Sequence, residues 1–172
     1  MRFLSFFLLL LVFCPNTFSQ KKLDRVLKRF NKESVPYIHV EELARSENIL
    51  LLDAREREEF EVSHLKNAIW VGHKTFNIDS LSKPLPNNKE SEIVVYCSIG
   101  VRSENIGEKL MKAGFTNVKN LYGGIFEWKN KGFPIYDGTD NETQKVHAFS
   151  KHWGKLLTKG EKVYGKEEVL EP

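Results

Sequence analysis

Two runs of the chain, Ile49-Leu50-Leu51-Leu52 and Ile93-Val94-Val95-Tyr96, are apolar or aromatic at consecutive positions rather than at every second one. Successive side chains of a strand point to opposite faces, so a continuous apolar run fits a strand covered on both sides. A sheet with one face in water does not fit that pattern. The remaining short apolar runs alternate with polar segments of helical period, which predicts an α/β fold: a small central parallel sheet flanked by helices on both faces.

Strands are expected at Tyr37–Val40, Ile49–Asp53, Ala68–Val71, Ile93–Tyr96 and Asn117–Leu121. Helical segments are expected at Glu41–Asn48, Arg55–Phe60, Phe76–Leu81, Ser103–Ala113 and Ile125–Asn130, with Gly114 as the left-handed residue that closes the fourth. With 172 residues, 41% hydrophobic and 28% charged, the chain is large enough for one well-buried core. That core is assigned to residues 35–137. Residues 20–34 form a lead-in, and residues 138–172 a lysine-rich extension after a polar linker. In this extension Val146, Phe149, Trp153, Leu156 and Leu157 recur at roughly helical spacing and are expected to pack as one stripe on the domain.

The N-terminus, Met1-Arg2 followed by the apolar run Phe3–Cys14, is too short for a comfortable membrane-spanning helix and reads as a signal peptide covering residues 1–19, cut before Gln20. An exported protein is the expectation. Retention as a membrane anchor and lipidation at Cys14 are the alternatives, although Phe13 is bulky for a lipidation site. The 26 basic and 23 acidic residues give a net charge of +3, spread along the chain, so no nucleic-acid surface is expected. Oligomeric state is not legible.

Once the leader is removed, Cys97 is the only cysteine left. An exported chain normally uses cysteines in pairs, so a single one reads as a reactive thiol or as a buried inert residue. Its surroundings favour reactivity. Cys97 ends a strand and is followed by Ser98, Ile99, Gly100, Val101, Arg102 and Ser103, where a helix begins. Such a loop directs several backbone N–H groups at one anion, and the positive helix end with Arg102 favours thiolate over thiol. Gly100 permits a tight turn, Ser98 and Ser103 can offer hydroxyls to the anion, and capping of the helix is the favoured alternative for Ser103. Asp53 and Arg55 at the neighbouring strand end read as a pair bracing adjacent loops, and His64 as a structural hydrogen-bonding residue. His147 and His152 lack a Cys or acid cluster beside them, so no metal site is expected.

The Cys97-x-x-Gly100-x-Arg102-Ser103 loop resembles that of single-domain rhodanese-like sulfurtransferases. Leu51-Leu52-Asp53-Ala54-Arg55-Glu56 with Glu59-Phe60, His64-Leu65-Lys66-Asn67-Ala68-Ile69, and Leu121-Tyr122-Gly123-Gly124-Ile125-Phe126-Glu127-Trp128 with Gly132-Phe133-Pro134 resemble further motifs of that family, in its order. Ser63 and Asn67 stand where the family commonly has glycines. The resemblance implies a ping-pong transfer in which Cys97 takes a sulfane sulfur from a small anionic donor such as thiosulfate and passes it to a thiophilic acceptor. It further implies that the loop amides stabilise the negative sulfur of the persulfide, that Arg102 holds the anionic donor or the departing sulfite, and that no cofactor is needed. Two alternatives stay open: a non-catalytic persulfide-carrier or partner-binding module, and a cysteine phosphatase or arsenate reductase. The last resembles a Cys-x5-Arg pattern, one residue longer than Cys97 to Arg102.

Overall fold

The computed structural model describes residues 16–79 and 85–165. Most of the leader, with Cys14, and the last residues of the lysine-rich tail lie outside the described residues. Helix α1 spans Asn16–Phe30 and passes through the expected cut before Gln20. The lead-in is therefore largely helical. Its Leu23 and Leu27 are buried in the core, while no helix among the described residues is long and apolar enough to cross a membrane.

Strands β1 (Tyr37–Ile38), β2 (Leu50–Asp53), β3 (Ile69–Trp70), β4 (Ile93–Tyr96) and β5 (Val118–Leu121) form one sheet in the order β1-β5-β4-β2-β3, with every pairing parallel. Helices α2 (Val40–Leu43), α3 (Arg57–Val62), α4 (Val101–Lys112) and α5 (Gly124–Asn130) connect or follow the strands. The expected α/β class and central parallel sheet are present. All four side chains of β4 are buried, and they divide by alternation. Val94 and Tyr96 join a core with Leu27, Leu121 and Ile125, whereas Ile93, Val95 and Cys97 join one with Leu52, Ile106 and Leu110. Each face thus has its own apolar cover, as the unbroken run demands.

Three expectations are corrected. Of the helix expected at Phe76–Leu81, Phe76 and Asn77 are not helical and Ile78 is in a turn, while residues 80–81 lie outside the described residues, as do 82–84. The helix expected at Glu41–Asn48 is a single turn, Val40–Leu43. The tail packs on the domain, but not as a helical stripe. It forms β8 (Lys145–His147), a 3-10 helix at Trp153–Leu156 and β9 (Glu161–Val163), with β8 and β9 paired in parallel, after a small antiparallel pair β6 (Ile135–Tyr136) and β7 (Glu142–Thr143). Gly160 takes a left-handed φ of +94° just before β9. Val146, Leu156 and Leu157 are nonetheless buried, and Asn130 of α5 holds the segment by donating to the Leu156 carbonyl and accepting from the amides of Thr158 and Lys159.

The turn around His64 needs only one left-handed residue. Asn67 adopts φ +60°, a conformation asparagine tolerates, whereas Ser63 sits in extended backbone at φ −171°, which any residue adopts. Before that turn lies a fully buried ion pair: Arg55 donates from Nε to Asp53 Oδ1 at 3.0 Å and from a terminal nitrogen to Oδ2 at 2.6 Å, and it also reaches the Ser63 carbonyl. Burial opposes the charge on Arg55, but the Asp53 carboxylate overrides it and holds the guanidinium protonated. Replacing Arg55 with Met would leave Asp53 charged and unpaired inside the protein, and should cost about 3–5 kcal/mol in denaturant unfolding experiments.

Candidate active site

Cys97 follows β4, where the chain turns into α4 through Ser98, Ile99 and Gly100. The residue is 1% exposed, yet it lines a cavity of about 180 Å³ together with Ile99, Val101, Arg102 and three aromatic residues. The turn is possible because Gly100 takes φ +108°, a conformation side chains rarely adopt, and because a Cβ there would lie 3.3 Å from the Leu121 carbonyl. Gly100 is the residue before the first turn of α4, and its amide donates to Cys97 Sγ at 3.1 Å.

The loop is held from beneath by the start of α5. The amide of Ile125 donates to the Cys97 carbonyl at 3.0 Å, and that of Phe126 to the Ser98 carbonyl at 3.1 Å. Gly124 lets the two backbones approach this closely, since a Cβ there would overlap the Cys97 carbonyl. Asn120 of β5 donates to the Gly100 carbonyl at 2.8 Å, and Asn31, just after α1, donates to the same oxygen at 2.9 Å. Glu104 of α4 accepts from the amides of Lys32 and Ser34, which fastens the segment after α1 to the helix carrying the loop.

Ser103 does not cap the helix. It lies inside the first turn of α4, its hydroxyl 2.7 Å from Asn120 Oδ1 and 3.5 Å from Cys97 Sγ. One hydroxyl hydrogen serves one of these acceptors at a time, and a thiolate competes better for it than a thiol. Ser98 likewise does not offer its hydrogen to the cavity: it donates to Glu59 Oε1 at 2.9 Å.

Arg102 is the largest departure from the expected arrangement. Both of its terminal nitrogens bond Glu59, at 2.6 and 2.8 Å, and one also reaches Ser98 Oγ at 3.0 Å. The guanidinium is thus held in a two-pronged pair instead of extending toward a bound anion. Glu59, buried on α3, additionally accepts the Glu56 amide and so completes the N-terminal cap of its own helix. Burial pushes the Glu59 carboxyl up, but the bonds and charge of Arg102, with the charge of Arg55, bring it down to about 2. Burial also pushes the Cys97 thiol up. The charge of Arg102 and the hydrogen bonds from Ser103 and Gly100 outweigh it, so the thiol lies below its ordinary value.

Among the residues singled out from sequence, Cys97 through Ser103 are therefore brought together. Asp53 and Arg55 bond each other, and Trp70 donates to the Arg55 carbonyl at 2.9 Å. His64 is not brought to the Cys97 cavity: it stacks on Phe60 at 4.1 Å and pairs through its backbone with Tyr136. No cluster of three or more metal-ligating side chains occurs among the described residues, and His147 uses Nδ1 to accept the Phe149 amide. Glu59, Asn120 and Asn31 carry parts of the site that sequence reasoning did not assign. Asn120 had a signal, because it shares a strand face with Val118, where an apolar residue is expected.

Residues 39–131 match the rhodanese-like domain family. Among curated proteins, the chain is 34% identical over 102 residues to a tRNA uridine(34) hydroxylase of Photorhabdus laumondii and 36% identical over 103 residues to one of Hamiltonella defensa. Each match covers 56% of this chain and 29% of the relative. Among solved structures, a rhodanese-like domain from Anabaena superposes with a TM-score of 0.53 at 25% identity, covering 59% of this chain and 79% of that one. A thiosulfate sulfurtransferase from Pseudomonas aeruginosa has the same fold, with a TM-score of 0.53 at 22% identity, over 81% of this chain and 26% of that one.

Two outcomes follow from the charges. Arg102→Gln removes the main cation holding the thiolate, so the pH midpoint for iodoacetamide alkylation of Cys97 should move upward. The Glu59 carboxyl is lower when folded than when unfolded, so its contribution to stability is complete above about 4.5 and is lost as pH falls toward about 2. Urea unfolding across that window should show a smaller acid-induced loss in Glu59→Gln than in the wild type.

Proposed function

Because the chain belongs to the rhodanese-like family, we propose that it is a sulfurtransferase working through a persulfide on Cys97. The observation that carries this reading is the position of Cys97 Sγ. Cys97 lines an open cavity, and its sulfur receives the Gly100 amide and is held toward thiolate by Arg102 and Ser103. In the proposed reaction the thiolate attacks the outer sulfur of a thiosulfate-like donor. The S–S bond of the donor breaks and its electron pair leaves on sulfite, producing the Cys97 persulfide. An acceptor thiolate then attacks the outer sulfur of that persulfide, and Cys97 leaves as thiolate. The transfer as proposed needs no metal or organic cofactor.

The chain's own groups do distinct work in this scheme. The Gly100 amide and the α4 N-terminus meet negative charge on either sulfur of the persulfide. Arg102, already bonded to Glu59, acts on the sulfur through space and does not grip the donor. A phosphate-transfer reading is disfavoured by the same pair, since it requires a guanidinium free to clasp the phosphate, and by the four-residue spacing between Cys97 and Arg102. The hydroxylase relatives are longer proteins, of which this chain matches 29%.

Export with removal of residues 1–19 belongs to the same proposal; N-terminal sequencing of protein recovered from outside the cytoplasm would test it. The decisive measurement for the chemistry is intact mass after incubation with thiosulfate, beside cyanide-dependent turnover. Wild type should gain one sulfur and turn over; Cys97→Ser should do neither. Equal turnover in both proteins would sink the mechanism, and sulfur gain without turnover to any acceptor would mark a persulfide carrier instead.

A further inference from the structure

The mouth of the Cys97 cavity is built from residues that lie outside the 39–131 family match. Phe30 ends α1, and Phe149 and Trp153 belong to the C-terminal extension. Phe30 and Trp153 meet edge to face at 5.6 Å, so the two ends of the chain close one aromatic rim. Phe149 lies over the Arg102 guanidinium, 4.9 Å from ring centroid to carbon. Its backbone takes φ +63°, a region costly for a bulky side chain, and is pinned there by its amide bond to His147 Nδ1 at 3.2 Å.

This rim keeps apolar surface in water. Phe30 is 49% exposed and Phe149 42%, and both stand at the same opening. At the floor, meanwhile, the one cation is neutralised by Glu59 through two bonds. A small inorganic anion therefore meets apolar walls and no unpaired positive charge, whereas an organic group gains by covering the rings. The volume, about 180 Å³, is of the size that takes a single aromatic ring; an engineered apolar cavity of about 150 Å³ binds benzene.

Building on the sulfurtransferase reading, we propose that the compound exchanging sulfur with Cys97 is organic, with an aryl or alkyl group seated against Phe30, Phe149 and Trp153. The sulfur end reaches Cys97 while the apolar end stays at the rim. For an aryl thiosulfonate, the Cys97 thiolate bonds the outer sulfur, the S–S bond breaks, and the electron pair departs on the arylsulfinate. No oxidant or reductant enters. The same rim would seat an apolar thiol acceptor attacking the persulfide.

Benzenethiosulfonate and methanethiosulfonate serve as probes, since both lose a sulfinate and differ in the group the rim would hold. Each kcat/KM is divided by the rate of the same compound with free cysteine, which removes intrinsic reactivity. In the wild type the normalised ratio should favour the benzene compound by about tenfold or more. The double variant Phe30→Ala and Phe149→Ala, at two largely exposed positions, should bring that ratio close to one, while Phe149→Tyr should retain it. A wild-type ratio near one, or a ratio unmoved by the double variant, would overturn the organic-substrate proposal and leave the sulfurtransferase reading intact. Failure of Cys97 to take sulfur from either thiosulfonate and from thiosulfate would overturn both.

Discussion

Strand β4 has no face toward water, and the chemistry of this chain depends on that burial. A strand wedged between two apolar layers cannot slip by one residue without sending Ile93 and Val95 into the layer built for Val94 and Tyr96. Its register fixes where Cys97 leaves the sheet. The carbonyls of Cys97 and Ser98 are then caught by the first amides of α5, so the loop is fixed through its backbone.

The ion pairs around this loop divide the electrostatic work. Asp53 and Arg55 form a closed unit that braces the turn beyond β2, away from the sulfur. Glu59 and Arg102 form a second pair that does reach the site, because Arg102 is near enough to favour the thiolate even with its nitrogens engaged. A pair of this kind supplies a fixed field while resisting rearrangement. Breaking it to clasp a donor would leave the Glu59 carboxylate buried and alone.

The parallel sheet and the Cys97 loop were legible because their signals are local: unbroken apolar runs, β-branching, and a glycine where the chain must turn. β4 is found at Ile93–Tyr96, as read. The C-terminal extension was legible only as a set of apolar residues. Val146, Phe149, Trp153 and Leu156 recur at intervals of three or four, which suits a helix, but the pairing of Lys145–His147 with Glu161–Val163 decides otherwise. That pairing is tertiary and leaves no periodic mark. Helix α1 was obscured by the leader beside it, although Leu23, Val26, Leu27 and Phe30 do carry a helical period. Glu59 escaped notice as a site residue because its role depends on a partner far along the chain, and Ser103 was read as a cap because the helix starts two residues earlier than expected.

The meeting of Phe30 with Trp153 has a consequence for assembly. The contact joins two segments that flank the family-matched residues on either side, so neither segment makes it alone. The rim exists only with both segments docked on the domain, and the buried Leu23, Leu27, Leu156 and Leu157 dock them. A shortening from either side that removed Phe30 or Trp153 would take away one wall of the rim while sparing the strand that leads into Cys97.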